Sequence, residues 1–341
     1  MPMTTGHHRG TPRRRPELTP VTLVARLRAV RKALALLHSI AKREPVFAEY
    51  GGHLLLAFCQ IASTSRSTSI RRLALDAGRE RAAHWKAQWT HTRRHLTCDN
   101  VLQHVIASYA ARRMGVWAEE IRADLRAALA AYPVRSLLLY DPSIEDPPDN
   151  VPDESRWSLW YYALTSAWFC ECHDVPLGIR FVDVMQQLSR LPRYPPPGSP
   201  DYYDSIYAVT HLVYTLNGYG RSRLPQGLLS AETDFLTLAM RWALEQQEAD
   251  TIGEIVDSLL ALGVDEHDAL IVAGRRFLLD TQRDDGGWGD EDDYGSFHTV
   301  WTAIDGLRDY NWRASKAPKA TVRVVLNDAL RLRAARSGHG S

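Results

Sequence analysis

Short segments that are apolar all round alternate with longer segments that are apolar on one side only, and this rhythm runs from residue 21 to residue 335. The apolar set is Leu54–Ile61, Val101–Ala111, Trp157–Cys170, Ile206–Leu216, Ile252–Leu262 and Phe297–Leu307. The amphipathic set is Val21–Ile40, Ile70–Trp89, Trp117–Tyr132, Phe181–Leu191, Ala231–Gln247, Glu266–Gln282 and Val322–Ala335. Within the first of these, Leu23, Leu27, Val30, Leu34 and Leu37 recur at helical spacing. No strand-like alternation competes. A helix apolar on every side must be surrounded by protein, and a helix with one polar face must lie outside it. The expectation is therefore an all-α (α/α)6 toroid of alternating inner and outer helices. The inner helices begin near residues 51, 98, 155, 203, 250 and 293, a repeat of helical hairpins. Residues 1–18 read as a disordered basic arm and 19–337 as a single domain. The alternative is an N-terminal helical subdomain over 19–140, with the Asp- and Pro-rich stretch Asp141–Asp153 as its boundary and the toroid part over 150–337.

Bulk chemistry narrows the partners. Lys and Arg number 41 against 40 Asp and Glu, so nothing in the net charge of +1 draws the chain to nucleic acid or an anionic membrane. No segment reaches the roughly 18 apolar residues of a membrane span. The N-terminus is basic without an apolar core behind it, unlike a secretory signal. Cys59, Cys98, Cys170 and Cys172 have no CxxC spacing, which fits reduced thiols in a cytoplasmic protein. The expected partner is a small, mostly apolar molecule, with no nucleic acid and no membrane span.

The densest group of Gly, Trp, carboxylates and His lies in residues 281–310. Gly286, Gly287 and Gly289 turn the chain sharply, and the acidic run that follows suits a helix start. Gln282-Arg-Asp-Asp-Gly286-Gly-Trp288 matches the Gln-x-x-x-Gly-x-Trp repeat and so resembles triterpene cyclases. Phe297-His298-Thr299 with Gly306-Leu307 is similar to the zinc-histidine segment of protein prenyltransferase β subunits. Both families are α/α toroids, so the resemblance implies that fold more firmly than it implies a reaction.

The apolar segments also share an internal register. His211-Leu-Val-Tyr-Thr, Glu254-Ile-Val-Asp-Ser, His298-Thr-Val-Trp-Thr and His104-Val-Ile-Ala-Ser repeat one form: a proton-active residue, then Val or Ile, then Ser or Thr one turn on. Extended to His53 and Tyr162, this register places six side chains at one level of six inner helices, facing the cavity. His211, Glu254 and His298 lie on consecutive inner helices. Two imidazoles and a carboxylate are a ligand set for Zn²⁺ or Fe²⁺. The prenyltransferase resemblance implies a zinc role for His298, but that family's Asp and Cys ligands have no counterpart here, and His211 stands where their Cys would be. Asp257 and His104 are the expected catalytic or proton-transfer partners. Asp257, one turn on from Glu254, and Asp250, one turn before it, are substitutes for it as ligand, Asp204 is another candidate, and each histidine has the competing reading of a hydrogen-bonded core residue.

Asp290-Glu-Asp292-Asp293 fits the Asp-x-Asp-Asp acid of class II terpene cyclases in letters, where crowded carboxyls keep one protonated. On that resemblance Asp292 and Asp293 are catalytic candidates; without it the run is a solvated acidic turn. Trp157, Trp160, Trp168, Tyr207, Tyr214 and Trp301 enrich the inner helices in rings that either line or fill the cavity. Arg221 and Arg223, in the turn Tyr219–Pro225, offer either a grip on a carboxylate or phosphate or a solvated turn. The leading expectation is a metal-dependent enzyme, with a divalent zinc or iron ion, acting on a small, largely apolar substrate in specialised-metabolite biosynthesis. The alternatives are a metal-free cyclase-like enzyme using the Asp290–Asp293 acid, a glycan-active enzyme with paired carboxylates, and a helical-repeat binding module without catalysis.

Overall fold

The six apolar segments become helices α2 (Glu44–Thr64), α5 (Val101–Arg113), α8 (Arg156–His173), α10 (Tyr202–Asn217), α12 (Ala249–Ala261) and α14 (Asp293–Leu307) in the computed structural model, which describes residues 21–149, 151–289, 293–313 and 318–338. The amphipathic segments supply α1 (Leu23–Ala41), α3 (Thr68–Ala87), α6 (Glu119–Ala130), α9 (Phe181–Gln186), α11 (Ser230–Gln246), α13 (Ala269–Thr281) and α15 (Ala320–Gly338). Two short helices, α4 (Trp89–Thr92) and α7 (Val134–Leu138), lie in connections. No β-strand occurs among the described residues, and no described helix is long and apolar enough to cross a membrane. The expected basic arm lies outside the described residues.

Local chemistry explains the helix ends. The Ser155 hydroxyl caps α8 by accepting from the Ser158 amide at 3.0 Å, and Ser67 caps α3 in the same way. Gly218 ends α10 at a positive φ of 68°, where a side chain would be strained. Packing follows the apolar pattern. Helix α12 is buried at every position from Thr251 to Ala261, whereas α3 buries one stripe that includes Ile70, Ala74, Ala77 and Trp85.

The apolar helices pack in a cyclic order of neighbours. Helix α2 touches α5, α5 touches α8, α8 touches α10, α10 touches α12, α12 touches α14, and α14 touches α2 again. Helices α3, α11 and α13 each bridge two successive members of this cycle, and α1 bridges α14 and α2. One buried apolar cluster extends from Ala29 to Ala329, drawing on both sides of the Asp141–Asp153 stretch. Helix α9 is only six residues long, and α15 packs against it and against the 3-10 turn Gln187–Arg190. The Arg333 guanidinium anchors this contact by donating to the Leu188 and Pro192 carbonyls at 3.0 and 2.8 Å.

One boundary differs from expectation. Gly51-Gly52 reads as a helix start, but α2 begins at Glu44 and the pair lies inside it. A Cβ on Gly52 would sit 2.5 Å from the Gln103 carbonyl oxygen, so the glycine is there to let α2 approach α5. The Gln282–Trp288 stretch has a joining role. The Gln282 side-chain amide donates to the Ala29 carbonyl of α1 and to the Gly286 carbonyl, both at 3.0 Å. Trp288 is buried, and its indole donates to the Leu278 carbonyl at 2.7 Å. The motif thus ties the α13–α14 turn back to the first helix.

Candidate active site

The cyclically packed helices surround a cavity of about 360 Å³. Its wall includes His53 of α2, Tyr162 of α8, His211 of α10, Glu254 of α12 and His298 of α14, five of the six residues that the internal register aligned. Rings supply much of the remainder: Tyr161, Phe169, Tyr207, Tyr214, Tyr219 and Trp301. Asp204 and Asp305 also reach it.

His104, the sixth register residue, does not line the cavity. Trp85 of α3 donates to its Nδ1 at 3.4 Å, and its ring packs among Trp85 and Trp89. His104 thus stands behind the wall, and α5 turns Leu102, Gln103 and Ile106 to the cavity. Asp257 likewise lies behind the wall. It is fully buried beside Asp305, Arg308 and Tyr310, and neither its carboxyl oxygens nor the Tyr310 hydroxyl make a hydrogen bond of proper geometry. Asp292 lies outside the described residues. Asp293 begins α14, with its side chain outside them too, so the acid expected at Asp290–Asp293 has no described geometry.

Polar contacts organise the wall around Asp250. His298 Nδ1 lies 2.9 Å from Asp250 Oδ1 and 3.1 Å from Oδ2. The Thr302 hydroxyl donates to Oδ1 at 2.7 Å and the Tyr207 hydroxyl to Oδ2 at 2.6 Å. On the other side of the ring, His298 Nε2 lies 3.8 Å from Glu254 Oε1. Glu254 Oε2 accepts from the Thr210 hydroxyl at 2.6 Å. His211 donates from Nδ1 to the Tyr207 carbonyl at 2.8 Å, which leaves the ring's lone pair on Nε2. Its ring also packs on Tyr161, with centroids 5.0 Å apart.

Burial and these contacts set the protonation states. Burial alone would lower the His298 imidazole, but the Asp250 charge and hydrogen bond overcome it and raise the group to about 9. Burial would raise Asp250, yet His298 and the donors Tyr207 and Thr302 hold it below its ordinary value. Glu254 is raised, chiefly by burial, with His298 opposing and Asp250 adding to the rise. Burial lowers His211 and His53 to about 4. These shifts favour an imidazolium paired to Asp250 and neutral imidazoles at His211 and His53, and they move Glu254 toward its protonated form. Deeper in, burial and the Asp305 charge raise Asp257, and burial raises Asp305 against the pull of Arg308, which donates from Nε to Asp305 at 2.6 Å.

As ligands, the metal candidates are only partly assembled. The anchored Nδ1 atoms of His211 and His298 follow the pattern by which proteins orient imidazoles toward an ion. Among the described residues, however, no three His, Cys, Asp or Glu side chains converge closely enough to share one. Tyr207 stands between the two rings, its centroid 6.3 Å from His211 and 6.2 Å from His298. None of the four cysteines is in a disulfide, and none joins the site.

Asp250 is the residue that sequence reading underweighted. It stood there as a substitute ligand, although its spacing of four from Glu254 and its place at a helix start marked it for the same face. A family model described as a domain of unknown function (DUF6895) matches residues 167–299, a stretch that contains Tyr207, His211, Asp250, Glu254 and His298. No curated protein and no solved structure matches the chain.

Proposed function

We propose that this protein is an enzyme that protonates a small, largely apolar substrate held in the cavity, with His298 and Glu254 as the proton donors. The observation that carries this reading is the Asp250–His298–Glu254 row, with contacts of 2.9 and 3.8 Å on the two nitrogens of one ring. Asp250 keeps the imidazole charged, and burial keeps the Glu254 carboxyl protonated, so two acidic protons stand side by side in an aromatic-lined space. A general acid poised near the working pH gives about 10²–10⁴-fold in rate. The rings of Tyr161, Tyr207, Tyr214 and Trp301 exclude water and present π faces to positive charge developing on the substrate. The cyclic order of helix neighbours and the Gln282–Trp288 tie support an α/α toroid of the terpenoid-cyclase and prenyltransferase type, and acid-initiated chemistry suits such a cavity. On this reading the acid comes from α12 and α14, not from Asp290–Asp293.

A divalent ion held by His211, Glu254 and His298 is the second reading. It is favoured by the anchoring of both imidazoles through Nδ1, to the Tyr207 carbonyl and to Asp250. A zinc or iron ion there would supply Lewis-acid or oxygen chemistry. It would require His298 to give up its Nε2 proton and the three ligands to draw together.

The two readings separate on one pair of measurements. Conversion of a panel of small alkenes, epoxides and carbonyl compounds is followed by mass spectrometry for the wild type, Glu254→Gln and His298→Asn. Metal content of the same anaerobically purified samples is determined alongside. Conversion by metal-free wild type that both variants lose is the expected result. Conversion that survives both substitutions would remove the site from the reaction. One equivalent of zinc or iron that disappears in His298→Asn would move the conclusion to the metal.

A further inference from the structure

A second constellation lies at the C-terminal exits of the helices. A small pocket of about 120 Å³ is lined by Arg113, Arg221 and Arg313 with Ser63, Thr64 and Asn311. Each arginine comes from a different C-terminal exit: Arg113 is the last residue of α5, Arg221 follows α10 and Arg313 follows α14. Ser63 and Thr64 end α2. The chemistry of the cavity uses none of them.

The pocket is held in shape by backbone bonds between these exits. The Arg313 amide donates to the Arg221 carbonyl at 3.0 Å, and the Asn311 amide donates to the Thr64 carbonyl at 2.7 Å. Isolated bridges pair Ser65 with Tyr310 and Ser222 with Arg313. The Arg221 guanidinium is fixed by donating to the Tyr109 hydroxyl at 2.7 Å, and its buried Nε has no partner. Arg113 and Arg313 are exposed.

Three cations share this pocket without a carboxylate among the described residues to offset them. Several other arginines are matched to acids: Arg26 with Asp309, Arg81 with Glu44, Arg122 with Asp174 and Arg308 with Asp305. Asp305 and Asp309, the acids nearest in sequence to Arg313, are therefore already engaged. Cationic side chains at helix C-termini commonly serve the terminal carbonyls. Among the described residues no side-chain bond from these three to a terminal carbonyl occurs; the Arg221 guanidinium donates to the Tyr109 hydroxyl, and that of Arg113 lies over the same ring, 5.8 Å from its centroid. Like charges gathered in a concavity raise its affinity for an anion, and forked guanidiniums with hydroxyl and amide donors match the oxygens of a phosphoryl group.

We propose that this pocket binds the phosphoryl group of a small molecule or free phosphate, through Arg113, Arg221 and Arg313 with Ser63 and Asn311 beside them. The site is separate from the cavity and does not depend on the reaction assigned to it.

The test is thermal unfolding and calorimetric titration at fixed ionic strength. Inorganic phosphate and glycerol phosphate are compared with chloride and acetate, in the wild type and in a double variant, Arg113→Gln with Arg313→Gln. Both substituted side chains are exposed, and circular dichroism with the melting temperature in chloride shows whether the variant is folded. The wild type is expected to gain stability with either phosphate source beyond that in chloride or acetate, because a ligand of the folded state shifts unfolding by mass action. The double variant is expected to lose about tenfold or more in affinity, as the removal of charge-assisted bonds predicts. Tighter binding of glycerol phosphate identifies a phosphorylated small molecule as the source, and equal binding identifies free phosphate. A shift no greater than that in acetate, or an equal shift in the double variant, overturns the proposal. Should the double variant not fold, Arg313→Gln alone decides the matter on the same readout.

Discussion

The Tyr207 hydroxyl donates to Asp250 at 2.6 Å, and the Tyr207 carbonyl accepts from His211 at 2.8 Å. One residue therefore sets the orientation of both imidazoles in the wall, one through Asp250 and one directly. Removing the hydroxyl leaves the carbonyl in place, so Tyr207→Phe should disturb the Asp250–His298 side only. A hydrogen bond to a charged group is worth roughly 1.5–3 kcal/mol, so the stability loss should be of that order. Denaturant unfolding measures it, and a loss near zero would show that Asp250 does not rely on Tyr207.

Asp250→Asn removes the charge that holds the His298 imidazolium. Burial then acts unopposed by Asp250, and the group should fall from about 9 toward or below the ordinary histidine range. Titration of the His298 ring signals by NMR is the check. An unchanged value would place the source of the rise elsewhere.

Glu254→Gln keeps the shape and an oxygen that accepts from Thr210 while removing the acidic proton. The fold should tolerate it within about 1 kcal/mol, because the native group is already neutral at pH 7. Turnover should drop by about 10²–10⁴-fold. Glu254→Ala, in contrast, leaves the Thr210 hydroxyl without its partner and opens a void, and should destabilise as well as inactivate. Equal turnover in wild type and Glu254→Gln would exclude Glu254 as the acid.

The buried groups make stability depend on pH in opposing directions: the raised carboxyls Glu254, Asp257 and Asp305 contribute stability that is whole below their unfolded values of about 4 and is lost as pH rises, Glu254 through about 8. On the alkaline side, the raised His298 contributes stability that is whole below the unfolded value of about 6.5 and is lost as pH climbs through about 9. On the acid side, His53, His104, His173 and His211 are held neutral with folded values of about 4. Their contribution is whole above the unfolded value and falls away between about pH 6.5 and 4, by at most about 1.4 kcal/mol per pH unit for each group. Melting temperatures across pH 4–10 test both slopes, and His298→Asn should flatten the alkaline one alone.

Trp288→Ala should cost about 3–5 kcal/mol, since it empties a buried site and strands the Leu278 carbonyl. Gln282→Leu removes the two bonds to Ala29 and Gly286 and should cost about 1–2 kcal/mol. If the pair ties the α13–α14 turn to α1 as described, protease cleavage near α1 should rise in both variants.

Helix rhythm made much of the architecture legible before any coordinates. Burial on every side of α12 and on one stripe of α3 is written in where the polar residues fall. The register of His53, His211, Glu254 and His298 was legible for the same reason, because one face of a helix repeats every three to four residues. His104 departed from it because α5 is rotated, and periodicity alone does not report which apolar face meets Trp85 and Trp89. Gly52 misled because a glycine that admits a neighbouring helix has the same letter as one that precedes a helix. The link between Asp250 and His298 joins residues 48 apart in the chain, and no local pattern carries it.

The contact of α14 with α2 has a kinetic consequence. Trp301 donates to Gln60 across 241 residues of sequence, and Arg308 reaches Thr64 across 244. Contacts so distant in the chain are closed late and slowly, after the entropy of a long loop has been lost. During synthesis the wall that holds His53 is made first and the one that holds His298 last. The nascent chain consequently exposes the facing sides of five apolar helices until the sixth emerges, and that interval, more than the finished fold, is where this protein is open to aggregation and most in need of a chaperone.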